Sequence, residues 1–144
     1  MLMEDSILHI AWKERYNINF KEIDAQHRKL VSICNDLIDL LPRKPDPEQI
    51  RMIFTQLKDY ALTHFKYEED FMKKARYPGF KTHQAQHKKF ISHLLESSEN
   101  FDYTEENLIE MINFLKNWYI NHIMQSDQGY QPFVHKLLKM NPKV

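Results

Sequence analysis

Glycine is almost missing from this 144-residue chain, which has only Gly79 and Gly129. Phosphate-cradling glycine loops and glycine-turned β folds are set aside on that ground. The single cysteine, Cys34, allows no intrachain disulfide, so thiol pairing does not fix a compartment. An excess of either charge is also missing, since 20 Lys and Arg balance 20 Asp and Glu. That removes the general electrostatic case for nucleic acid or an anionic membrane as partner. No apolar run approaches the roughly 18 residues of a membrane span. Met1 to Phe20 does not resemble a signal peptide, because Asp5, His9 and Lys13 break every apolar run and no small-residue cleavage pattern follows. The expectation is a soluble, cytoplasmic protein of one domain, long enough to bury about two-thirds of its unfolded surface.

What the chain does have is histidine, eight residues of it against the two glycines. Four segments also carry helical periodicity. The first runs Ile23, His27, Leu30, Cys34, Leu37, Leu41; the second Ile50, Phe54, Leu57, Ala61, His64, Glu68, Phe71. The third runs Phe80, His83, His87, Phe90, Leu94; the fourth Leu108, Met111, Leu115, Trp118, His122. Breaks separate them. Pro42, Pro45 and Pro47 stop the first helix, with Asp46 as N-cap of the second. Arg76-Tyr77-Pro78-Gly79 reads as a turn, and Asn100 to Tyr103 as a short link before a Thr104 N-cap. Short links make successive helices antiparallel, which predicts an all-α, up-down-up-down four-helix bundle over residues 20–144. Residues 1–19 are expected to form an N-terminal arm docked by Trp12, Tyr16 and Phe20.

The ionisable residues on these apolar faces are His27, His64, Glu68, His83, His87 and His122, with Asp127 five residues further on. In an antiparallel bundle the start of one helix lies beside the end of the next. His27, His83 and His87 come early in their helices; His64, Glu68, His122 and Asp127 come late. All seven are expected at one depth, at one end of the bundle. Any one of these histidines alone reads best as a core or surface residue. A buried Glu68 or Asp127 without a partner would cost several kcal/mol or take up a proton. A cation among them removes that cost. Five imidazoles and two carboxylates exceed one tetrahedral zinc and suit two metal ions of higher coordination. Ferritin-type Glu-x-x-His, His-Glu-x-x-His and Gly-x-Ser-x-Gly motifs are absent.

Ile23-Asp24-Ala25-Gln26-His27, His64-Phe65-Lys66-Tyr67-Glu68-Glu69, Tyr77-Pro78 with His83-Gln84-Ala85-Gln86-His87, and His122-Ile123-Met124-Gln125-Ser126-Asp127 together resemble the hemerythrins. The likeness runs from about Trp12 to Phe133 and is nearest to their single-domain bacterial branch. It implies a non-haem centre of two iron ions that binds O₂ reversibly, joined by an oxo or hydroxo bridge. By motif, His83, His87 and His122 would hold one iron and His27 and His64 the other. Glu68 and Asp127 would bridge them, leaving one open position on the iron with two histidines.

Two features stand apart. Asp127 is five residues from His122, and on a regular helix the two directions differ by roughly 140°. Either the metals lie between those directions or the helix widens there into a π-bulge, which Gly129 would ease. Tyr119 departs from the family, which more often has Trp-Leu before this histidine. It is read either as a tyrosine turned to a helix interface or, with Trp118, as part of the oxygen pocket. His9, His93 and His135 are expected on the surface and Cys34 in the core. Phe54, Phe65, Phe71, Phe90, Ile91 and Met111 are expected to keep water from the site.

The sequence reading is thus a binding protein, not an enzyme, taking O₂ for storage, delivery or sensing. It is expected as a monomer serving an oxygen-consuming or signalling protein partner. The alternative is a di-iron redox enzyme acting on peroxide or nitric oxide, or oxidising iron.

Overall fold

The computed structural model describes residues 9–99 and 102–141. Four helical rods run through them. Helix α1 spans Lys21–Leu40, α2 Pro47–Lys74 and α3 Phe80–Glu99. The fourth rod is α4 (Glu105–Asn121), a six-residue π segment (His122–Asp127) and α5 (Gln128–Met140), in unbroken succession. The fold is the expected all-α four-helix bundle, and no strand occurs among the described residues.

Local chemistry sets the ends. After α1 the chain tightens into a 3-10 turn, Leu41–Arg43, and Lys44 reverses it in the left-handed region at φ 48°. Asp46 then caps α2 in a reciprocal box. Its carboxylate accepts from the Gln49 backbone at 2.9 Å, and the Gln49 side chain accepts from the Asp46 backbone at 3.0 Å. Thr104 caps α4 by accepting from the Asn107 backbone at 3.1 Å. Residues 100 and 101 of the link before it lie outside the described residues.

Of the expected arm, residues 1–8 lie outside the described residues. The remainder is fastened to α1 from both ends. The Asn35 side chain pairs with both the N–H and the C=O of Ile10, at 2.7 and 3.1 Å. The Ile18 N–H donates to Asp24 Oδ1 at 2.8 Å. Tyr16, Ile18 and Phe20 are buried, whereas Trp12 is only half-buried and sets its ring edge-on against Tyr16. His135 donates to the Asn19 carbonyl at 3.0 Å, so this histidine holds the arm rather than standing free on the surface.

The apolar side chains form two clusters. The larger takes α1 from Leu30, α2 up to Phe65, α3 from Phe90 and the fourth rod up to Ile123. The smaller joins Ile18, Phe20 and Ile23 to Phe71 and Met72 of α2 and to Tyr130 and Val134 of α5. On every rod the expected site residues fall between the two. The sequence reading puts His122 and Asp127 late in the last helix, at one end of the bundle. The rod instead runs on to Met140, and the seven residues form a polar slab between two apolar layers. The physical reason is the apolar stripe of Tyr130, Val134 and Leu137, which carries the helix face past Asp127. Ile91, expected in the core, is half-buried.

Candidate metal centre

The structure brings His27, His64, Glu68, His83, His87, His122 and Asp127 together, and all are buried. Two overlapping groups result. Glu68, His83, His87, His122 and Asp127 form one, and His27, His64, Glu68 and Asp127 the other. Within each group the donor atoms lie within 4.8 Å of one another. The shared members are the two carboxylates, and each divides its oxygens between the halves. Glu68 Oε1 faces His83 and His87 at 3.2 and 3.0 Å, while Oε2 faces His27 and His64, both at 3.4 Å. Asp127 Oδ1 faces His83 and His122 at 3.0 Å, and Oδ2 faces His27 at 3.0 Å.

Helical spacing positions most of these groups. His64 and Glu68, and likewise His83 and His87, are one turn apart on one helix face. His122 and Asp127 need a different device. The segment from His122 to Asp127 is a π-helix, in which residues five apart bond to each other rather than diverge. Of the two readings left open by the sequence, the widened helix is the one observed.

Of these short contacts, His83 Nε2 with Glu68 Oε1 is a hydrogen bond, and others are not. His27 Nε2, His64 Nε2 and both Asp127 oxygens have no hydrogen-bond partner despite their close neighbours. Polar atoms buried in this way carry a large desolvation cost unless something meets them. Five imidazole nitrogens around two carboxylates are also the donor chemistry that suits iron.

Electrostatics follow from the same arrangement. Burial pushes the Glu68 and Asp127 carboxyls up, but the surrounding imidazoles outweigh it and hold both well below the usual range. Burial pushes His27 and His83 down, yet contacts with Asp127 and Glu68 prevail and raise them to about 9 and about 10. His64 is lowered, because burial there exceeds the pull of Glu68. In the ion-free protein, therefore, protons on histidine answer the buried carboxylates. A metal ion replaces those protons.

Aromatic rings fix the imidazoles from the larger cluster. Phe65 lies flat on His87 with centroids 3.8 Å apart, and Trp118 on His122 at 4.5 Å. Tyr119 takes the blander of its two orientations. Its hydroxyl donates to the His27 backbone carbonyl at 3.1 Å, and its ring stands edge-on to His27 at 6.0 Å. Burial raises its phenol well above 10, so it remains a donor.

Three further residues were not singled out from the sequence. The Tyr130 hydroxyl donates to Glu68 Oε2 at 2.8 Å. Gln26 accepts from His64 Nδ1, and Glu69 accepts from His87 Nδ1, both at 2.7 Å. A signal existed for Tyr130, which lies three residues after Asp127 on the same helix face.

Fold and site define a helical-bundle protein whose centre is lined by histidine and carboxylate and suited to two metal ions. Comparison with known proteins makes this particular. A family model described as hemerythrin HHE cation binding domain matches residues 19–134. The chain is 33% identical over 122 residues to bacteriohemerythrin of Pseudomonas aeruginosa, covering 85% of this chain and 79% of that protein. It is 32% identical over 125 residues to bacteriohemerythrin of Clostridium acetobutylicum, covering 83% and 97%. The crystal structure of wild-type hemerythrin matches with a TM-score of 0.80 at 28% identity, over 88% of this chain and 98% of that one. The chain belongs to the hemerythrin family, whose metal is non-haem di-iron.

Proposed function

We propose that this protein binds O₂ reversibly at a non-haem di-iron centre, for storage, delivery or sensing. In this reading His83, His87 and His122 would hold one iron and His27 and His64 the other, with Glu68 and Asp127 shared between the two groups. The observation that carries this reading is the division of each carboxylate's oxygens between the two halves. The iron pair supplies electrons to O₂ when bound. The half with two histidines has one protein donor fewer than its neighbour, which leaves room there for a small ligand.

The chain's own groups favour binding over turnover. A phenol with its hydroxyl free to face the ligand would favour turnover. The Tyr119 hydroxyl donates its hydrogen bond to the His27 carbonyl, and the Tyr130 hydroxyl donates to Glu68, so neither is directed at a ligand. Apolar layers on both sides keep water out, which slows loss of charged oxygen species. Trp118, flat on His122, and Tyr119, bonded to the His27 carbonyl, close the centre on the side of the larger cluster. The reading is therefore a binding protein rather than an enzyme, a monomeric, cytoplasmic unit comprising the bundle of residues 20–144 and its arm. Its partner is an oxygen-consuming or signalling protein. Among the described residues no helix is long and apolar enough to cross a membrane.

An optical titration of anaerobically reduced, iron-loaded protein with O₂, followed by degassing, tests this. A visible charge-transfer band that forms with O₂ and disappears on degassing is the expected result. A band that never forms, or decays at once to the diferric spectrum, would move the assignment to redox catalysis on peroxide, nitric oxide or iron.

A further inference from the structure

Two of the five imidazoles hydrogen-bond through the nitrogen turned away from the carboxylates, and their acceptors differ in charge. His87 Nδ1 donates to the Glu69 carboxylate at 2.7 Å, and His64 Nδ1 donates to the Gln26 amide oxygen at 2.7 Å. The distances are equal, so geometry does not distinguish the two contacts. Charge does. His87 belongs to the half with three histidines and His64 to the half with two.

Both contacts are held in place. Gln84 Nε2 donates to the other Glu69 oxygen at 2.9 Å, which fixes the carboxylate plane. The flat contact with Phe65 at 3.8 Å fixes the His87 ring. A carboxylate behind a metal-bound imidazole makes that ring a stronger electron donor. An amide oxygen orients the ring in the same way without adding a negative charge. The higher the charge on the metal, the more this extra donation stabilises it. The remaining ring on the two-histidine side offers no compensation, since His27 Nδ1 has no hydrogen-bond partner.

We propose that Glu69 and Gln26 are positioning residues that make the two halves of the centre electronically unequal, Glu69 favouring ferric over ferrous iron at the three-histidine half. This rests on the di-iron reading above. Its consequence is an order of oxidation. The three-histidine half gives up its electron first, and the half with room for a ligand keeps its electron longer.

The test is a redox titration of iron-loaded protein, preceded by metal analysis, on the wild type, Glu69→Gln, Gln26→Glu and the double exchange. Glu69→Gln keeps an acceptor for His87 and removes the charge. It is expected to lower the ferric-over-ferrous preference at one iron about tenfold, raising the lower midpoint by about 59 mV. Gln26→Glu is expected to lower the upper midpoint, and the double exchange to narrow the separation further than either alone. Glu69→Gln with two irons per chain and both midpoints unchanged would overturn the proposal. Wild-type protein from iron-replete cells that holds fewer than two irons would instead bring down the di-iron reading, and this proposal with it. Metal content separates the two failures before any potential is read.

Discussion

Tyr130 carries the most informative contact at the scale of single residues. It is fully buried, and its hydroxyl is the one phenol bonded to a site carboxylate among the described residues. A hydrogen bond to an ionised acceptor contributes about 1.5–3 kcal/mol. Tyr130→Phe keeps the ring against the smaller cluster and removes the donor alone. Metal-free protein is expected to lose about that much in urea unfolding, and metal-loaded protein clearly less, because the ion then meets the charge on Glu68. A metal-free loss within about 0.5 kcal/mol of zero would show that the phenol gives Glu68 nothing. Six of the seven clustered residues, all but Asp127, stood out in the sequence because each interrupts an apolar stripe at steps of three or four, a signal local to its own helix. Tyr130 carried a weaker signal, its place three residues after Asp127, because a tyrosine on such a stripe reads first as core. Gln26 and Glu69 were quoted within their motifs without a role. Their partners lie 38 and 18 residues away on other helices, and periodicity does not report pairings of that kind. The direction of the Tyr119 hydroxyl depended likewise on how closely α4 approaches α1.

Among the elements, the fourth rod departs most from a plain helix. Its π segment was one of two readings that the five-residue spacing left open, and only backbone geometry could choose between them. Gly129 has a different role from the expected easing of that segment. It has no positive φ, and a Cβ there would lie 2.7 Å from the Tyr77 hydroxyl. Gly79 faces the same side chain, so both glycines of the chain make room for Tyr77. Alanine in place of glycine inside a helix is favourable by about 0.8–1.0 kcal/mol. Overpacking costs about 1–3 kcal/mol. Gly129→Ala is therefore expected to be neutral or destabilising in the wild type and stabilising in a Tyr77→Phe background, where the nearest remaining Tyr77 atom is 3.8 Å away. Thermal midpoints of the four proteins of this cycle decide it. An equal effect of Gly129→Ala in both backgrounds would mean that the hydroxyl is not the obstacle.

For the molecule as a whole, the bundle and its helix boundaries were legible because capping residues and prolines mark them. The layering was not, because Asp127, Gly129 and Pro132 interrupt the segment and mask the stripe that Tyr130, Val134 and Leu137 continue. Layering places five imidazoles beside two carboxylates with little water, and this ties stability to pH. In metal-free protein His27 and His83 are raised from 6.5 to about 9 and about 10. A raised folded-state value means that the folded form binds the proton more tightly than the unfolded form. The stability this contributes is complete below pH 6.5 and is lost as pH climbs through about 9 and about 10. Chelator-treated protein is therefore expected to melt at progressively lower temperature as alkalinity rises. Iron-loaded protein is expected to show little of this slope, since the ion has taken the protons' place. Parallel pH profiles for the two forms would show that these protons do not stabilise the fold.

The two apolar layers are unequal, and the inequality bears on time rather than on affinity. Partial opening of a folded chain proceeds through its weaker cooperative unit. Here that is the smaller cluster, assembled from the start of α1, the end of α2 and α5. An ion in the slab reaches water when that layer parts. How long the centre keeps its metals is then set by residues such as Ile18, Ile23 and Val134, whose side chains offer a metal no donor atom.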